Sequence, residues 1–363
     1  MRKLALALLV CLLLAPAARA QTPEPAELFG AQALEEALDG QTRQALSGLT
    51  PTSGGDFGAQ LLRILSDALS SSGGAVRDAL GAAAKLLAAA LVCAFAACAE
   101  QSGQSALAAR LAGAFAITAL CTQDVTSMLA LAEQTVQRIA DFTALLLPVL
   151  SASLAAGGAA ISAGALLAGA SFAMSLLTAL CSRVLIPLVY VYVLLACAES
   201  AGEAQLVQKL RALAGRGMEL LIKGVCAAFT AYLSLSRVLN GASDTAAVKA
   251  AQAAISGMVP VVGSILSDAS SSLLASAGMI RSTAGLFGML ALLAMAVTPF
   301  LRLGAFYLAL KFAGALSAGA ALPAHTGLLE RLSAAMGYML AITAGALWMA
   351  LCAAACFLKA VGG

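Results

Sequence analysis

From Ala79 onward the chain alternates long apolar runs with short polar breaks. The runs fall at 79–99, 106–122, 142–158, 160–182, 184–198, 225–240, 284–301, 303–318 and 336–358. Each is a candidate membrane helix, since about 20 apolar residues cross a hydrocarbon core of ~30 Å. Several are shorter and carry Gly or Pro, which predicts tilted or broken helices shielded by their neighbours. Before Ala79 the pattern differs. Arg2 and Lys3 precede an apolar stretch, Leu4 to Ala15, too short to span. Pro16 ends it, and Ala18-Arg19-Ala20 before Gln21 fits a small-x-small cleavage site. The alternative is an uncleaved first helix.

The expected fold is therefore all-α, a polytopic bundle of transmembrane helices behind a cleaved signal peptide. The parts are a signal peptide (1–20), a small polar extracytoplasmic region (21–78) and a membrane domain (79–363). Residues 21–78 hold eight acidic residues and three arginines. Short helices are expected near 31–46 and 57–71. In the second, Phe57, Leu61, Leu65 and Leu69 form one apolar stripe. That stripe suits a partner or the membrane surface; the plainer reading is a small polar cap.

Orientation follows from charge. Starting outside and crossing five times leaves 199–224 in the cytoplasm. That connector holds Lys209, Arg211, Arg216 and Lys223, the densest basic cluster in the chain, as the positive-inside rule requires. Residues 123–138, on the outer side, carry Asp124, Glu133 and only Arg138.

The segment 255–282 is long enough to span but has Asp268 at its middle, among serines. An ionised group at bilayer depth costs about 2.5–3.5 kcal/mol on insertion scales. A re-entrant hairpin or a polar cavity would relieve that cost; so would a surface helix with Asp268 in water. Two proline pairs, Pro148/Pro260 and Pro187/Pro299, share one offset along the chain. That suggests a duplication of 142–240 in 254–352, and broken helices in matching halves often mark a substrate path.

Composition supports a membrane chain. Apolar residues make up 61% and charged residues 11%, against about 25% charged in soluble domains. The abundance of Ala and Gly suits close helix packing in lipid. No basic stripe interleaved with aromatics points to nucleic acid. Cys93, Cys98, Cys121, Cys181, Cys197, Cys226, Cys352 and Cys356 all lie in apolar stretches, with no CxxC and a single histidine, His325. They read as small packing residues, and no metal or other cofactor is expected.

Catalytic patterns are equally missing. The chain has no GxxxxGK[ST] phosphate loop, no HExxH and no GxSxG, so it does not read as an enzyme. Glu199 and Glu203 are expected to be solvated, Lys85 and Lys311 to snorkel, and Asp141 and Arg302 to sit at span borders. The Gly/Ala-rich run 155–170 reads as a close-packing surface.

The string Val259-Pro260-Val261-Val262-Gly263-Ser264-Ile265-Leu266-Ser267-Asp268 resembles the signature of the stage III sporulation protein AE family. Leu146-Leu147-Pro148-Val149-Leu150, with Gly157-Gly158 and Ser162 beyond it, is similar to that family's other recognisable segment. Pro299 and Leu310-Lys311-Phe312-Ala313 fall where the family would have them. The resemblance implies a subunit of a secretion-like channel complex linking mother cell and forespore, needed for endospore development. It implies a multi-pass place in the mother-cell membrane around the forespore. The implied partners are a secretion-type ATPase and ring-forming membrane proteins. Candidate channel or partner contacts are Pro148, Pro187, Pro260, Gly263, Asp268, Pro299 and Lys311. The alternative is a stand-alone permease for a small solute or ion.

Overall fold

The computed structural model describes residues 31–46, 57–99, 103–156, 159–201, 205–258, 263–319 and 323–359. The signal-peptide residues, Ala18 and Ala20 among them, and Pro260 lie outside these. So do the side chains of 234–282, which include Asp268 and Gly263.

Among the described residues the chain forms ten α-helices and one π-helical turn. They are α1 (Ala31–Glu36), α2 (Gly40–Ala45), α3 (Phe57–Ser71), α4 (Gly73–Ala99), α5 (Gly103–Ala156) and α6 (Ala160–Leu180). The π-turn Cys181–Leu185 leads into α7 (Ile186–Ala201), then α8 (Gln205–Met258), α9 (Gly263–Gly319) and α10 (Pro323–Lys359).

Four helical stretches are long and apolar enough to cross a membrane: Thr118–Ala156, Ala160–Ser200, Thr283–Ala318 and Gly327–Leu358. They replace several of the shorter spans expected from sequence. The polar breaks at Arg183 and Arg302 do not end a helix. A single charge with a long apolar stem removes no backbone hydrogen bond, so the ladder runs through it. Residues 160–200 are one rise of about 60 Å, twice the hydrocarbon thickness.

Pro187 explains the local irregularity there. It has no N–H to give the Arg183 carbonyl, and its ring crowds that group. The turn before it widens, and Ile186 N–H reaches back to the Cys181 carbonyl. Pro148 and Pro299 sit inside α5 and α9.

The core gathers α5, α9 and α10 around Leu146, Leu150, Phe287, Leu292, Met339 and Phe357, all buried. α9 and α10 form the most extensive helix pair. Close approach depends on small residues. A Cβ on Gly169 would overlap the Tyr232 ring, and one on Gly288 would overlap Leu146. The Tyr232 hydroxyl donates to the Ala165 carbonyl at 2.7 Å and pins α8 to α6. Within the Gly/Ala-rich run Gly169 is the close-packing position, whereas Gly164 has open space around it.

Two N-terminal expectations change. The helix expected over 31–46 is two, because Asp39 stops the first and caps the second: its carboxylate accepts from Thr42 N–H at 2.9 Å. In α3 the inward row is Leu61, Ile64 and Ala68, while Leu65 and Leu69 are exposed. The four-residue stripe drifts around the helix, and the face against α9 follows a different register.

Candidate functional site

Two features combine polar groups within the helical bundle. The first is a groove of about 450 Å³ between α5 and α6. Its α5 wall carries Gln137, Asp141 and Ala144; its α6 wall carries Ser171, Ser175 and Thr178, continued by Ser182 and Arg183 in the π-turn. Both series step by four and three residues, so each occupies one helix face. Thr143, Leu147 and Met174 are buried beneath. Asp141 and Arg183 are exposed in this groove, and among the described residues no ion pair joins them.

The hydrogen bonds give the groove its character. Gln137 donates through Nε2 to Asp141 at 2.8 Å. Ser175 and Thr178 give their protons to the Phe172 and Met174 carbonyls at 2.8 and 2.9 Å, leaving lone pairs. Pro148 has no N–H for the Ala144 carbonyl, and Pro187 none for that of Arg183. Both freed acceptors therefore belong to groove residues. Two of the sequence-marked prolines act on this site, through backbone they do not themselves contribute.

The second feature joins α7, α8 and α10. Glu199 has a side chain only 4% exposed. One carboxylate oxygen takes Arg211 Nε at 2.6 Å, and the other takes an Arg331 guanidinium nitrogen at 2.7 Å. Arg211 also donates to the Tyr192 hydroxyl at 3.1 Å and lies over that ring. Tyr192 meets Tyr338 edge-on at 5.4 Å. Burial works against the charge of Arg211, but its hydrogen bonds to Glu199 and Tyr192 more than offset this and raise its pKa above the ordinary value. With three helices converging, this cluster is a clamp.

The expectation that Glu199 is solvated is overturned. The carboxylate ends an apolar helix where α8 and α10 bring arginines onto it. The basic cluster is also not a loop: Lys209, Arg211, Arg216 and Lys223 lie on α8, which starts at Gln205. Lys209, Arg216 and Lys223 are exposed, whereas Arg211 is drawn inward by Glu199. Asp141 belongs to the groove rather than to a span border, because α5 runs straight through it.

The other marked residues stand apart from the groove. Pro299 is buried in α9. Lys311 is exposed on α9, 3.2 Å from the Tyr307 hydroxyl and over that ring. The groove itself was missed from sequence. Its signal is the polar series Ser171, Ser175, Thr178 and Ser182 in an otherwise apolar stretch, facing Gln137 and Asp141 on α5. Arg331 carries no signal in the sequence that would assign it to Glu199.

A family model described as Stage III sporulation protein AE matches residues 47–360. The chain belongs to the Stage III sporulation protein AE family. Among individual proteins, Stage III sporulation protein AE of Bacillus subtilis (strain 168) is 23% identical over 189 residues. The matched stretch is 51% of this chain, and the chain spans 46% of that relative. No solved structure matches. This Stage III sporulation protein AE family member is thus a sporulation-family protein with four candidate membrane-spanning helices among the described residues.

Proposed function

We propose that the chain is an integral membrane subunit of a secretion-like channel complex between mother cell and forespore, needed for endospore development. The family match across 47–360 carries this reading. Exposed apolar side chains on the candidate spans support it. Phe172, Leu194, Leu308 and Phe312 offer surface to lipid or to neighbouring subunits. The proposed partners are a secretion-type ATPase and ring-forming membrane proteins. The proposed place is the mother-cell membrane around the forespore.

The signal peptide delivers 21–78 to the outer side in this scheme. α4, α5 and the α6–α7 rod then cross once each, which leaves the start of α8 in the cytoplasm. Lys209, Arg216 and Lys223 on its exposed face agree with that orientation. The Pro260–Gly263–Asp268 segment is proposed as a channel or partner contact, and the 142–240 and 254–352 halves as a duplication.

The test is a pull-down of the tagged protein from sporulating cells. Recovery of the ATPase and the ring proteins is expected; recovery of neither refutes the complex. A second reading, a stand-alone permease, is favoured by the polar groove. It requires the purified protein alone to move a solute into liposomes.

A further inference from the structure

We infer that the groove between α5 and α6 binds a zwitterionic ammonium–phosphate group, the chemistry of a phosphatidylethanolamine headgroup. Its two ends have opposite character. At one end acceptors gather around the charge: the Asp141 carboxylate, the lone pairs of Ser175 and Thr178, and the Ala144 carbonyl freed by Pro148, with the Ser171 hydroxyl and the Gln137 amide beside them. Such a set takes a cation rich in N–H donors, and a primary ammonium has three. At the other end stands Arg183, whose planar fork of donors matches phosphate oxygens. Among the described residues Arg183 has neither a side-chain hydrogen bond nor an ion pair, so that fork is available.

Position and shape agree. Arg183 lies 23 residues beyond Ala160, the first residue of α6. That is about 35 Å along the helix, one hydrocarbon thickness from the α5–α6 connection. The guanidinium therefore reaches headgroup level, with Asp141 inward of it. Leu145, Phe172 and Leu176 are exposed beside the groove-lining positions and provide an apolar rim for acyl chains. A choline headgroup has no N–H to give the acceptor end. A glycerol headgroup brings no positive charge to Asp141. The inference requires α5 and α6 to lie in a bilayer but not the channel complex, so either can fail without the other.

The test uses the full chain in nanodiscs of equal phosphatidylethanolamine, phosphatidylcholine and phosphatidylglycerol. The protein is re-extracted, and the retained lipid is measured by mass spectrometry with and without soluble O-phosphoethanolamine. Phosphatidylethanolamine should be retained over phosphatidylcholine. Asp141→Asn should lower its retention at least about tenfold, the worth of one charge-assisted hydrogen bond. That variant should leave phosphatidylglycerol unchanged, whereas Arg183→Gln should lower both. Displacement by O-phosphoethanolamine shows that the free group suffices; resistance to it assigns the site to the lipid. Equal retention of the three lipids, or phosphatidylethanolamine retention unmoved in both variants with wild-type helicity and elution, overturns the inference. Should Asp141→Asn not fold, Ser175→Val removes an acceptor without changing charge, and unchanged retention there overturns it equally.

Discussion

Replacing Glu199 with alanine removes the one carboxylate that two arginines from different helices share. Its side chain is 4% exposed, and those of Arg211 and Arg331 are 22% and 23% exposed. A hydrogen bond to a charged group contributes about 1.5–3 kcal/mol. Two such bonds do not simply add here, because removing the carboxylate also relieves its own desolvation. Breaking a buried pair by deleting one partner costs about 3–5 kcal/mol, most of it from the charge left behind. The arginines retain some water, so the expected loss lies at the lower end, about 3 kcal/mol. Glu199→Gln keeps one acceptor oxygen and should lose less. A triple change of Glu199, Arg211 and Arg331 to Met should recover much of the loss, since no charge is stranded. The assay is dodecyl sulfate titration in maltoside micelles, followed by far-UV circular dichroism. A Glu199→Ala protein within about 0.5 kcal/mol of wild type, the range of an exposed pair, would refute the clamp.

Other substitutions probe packing and local structure. Lys223→Ala breaks an exposed i,i+4 pair with Glu219 and should change stability by no more than about 0.5 kcal/mol in the same titration. Gly288→Ala drives a methyl into buried Leu146 and should destabilise by about 1–3 kcal/mol. Gly217→Ala, with open space around it, should be neutral or stabilising by up to about 1 kcal/mol, so the two differ in sign. Asp39→Ala removes the α2 cap and should cost about 1 kcal/mol locally, read as faster amide exchange over 40–45 while the membrane helices stay protected.

Helical class and membrane character were legible because apolar density and small-residue content act over long windows, where local exceptions average out. Span boundaries were not. Arg183 and Arg302 look like interruptions in a hydropathy profile, yet neither breaks backbone hydrogen bonding, and the helices continue through them. Pro148 and Pro187 stand out in the sequence, but their effect on backbone hydrogen bonding falls on Ala144 and Arg183, one turn earlier, where the carbonyls are released. Glu199 was misjudged because its burial depends on Arg331, 132 positions away along the chain. Such a pairing is set by helix packing, and one sequence holds no record of it. The spacing of Ser171, Ser175, Thr178 and Ser182 was in plain view, and a search for polar faces in apolar helices would have found it.

The unbroken run from Ala160 to Ser200 has a mechanical consequence. A rod about twice as long as the hydrocarbon is thick cannot stand upright inside it, so in a bilayer it must tilt or carry one end past a membrane face, and any tilt is passed to α8 and α10 through the clamp at Glu199. The widened turn at Cys181–Leu185 is the natural fulcrum, since its looser hydrogen bonding concentrates any bend there.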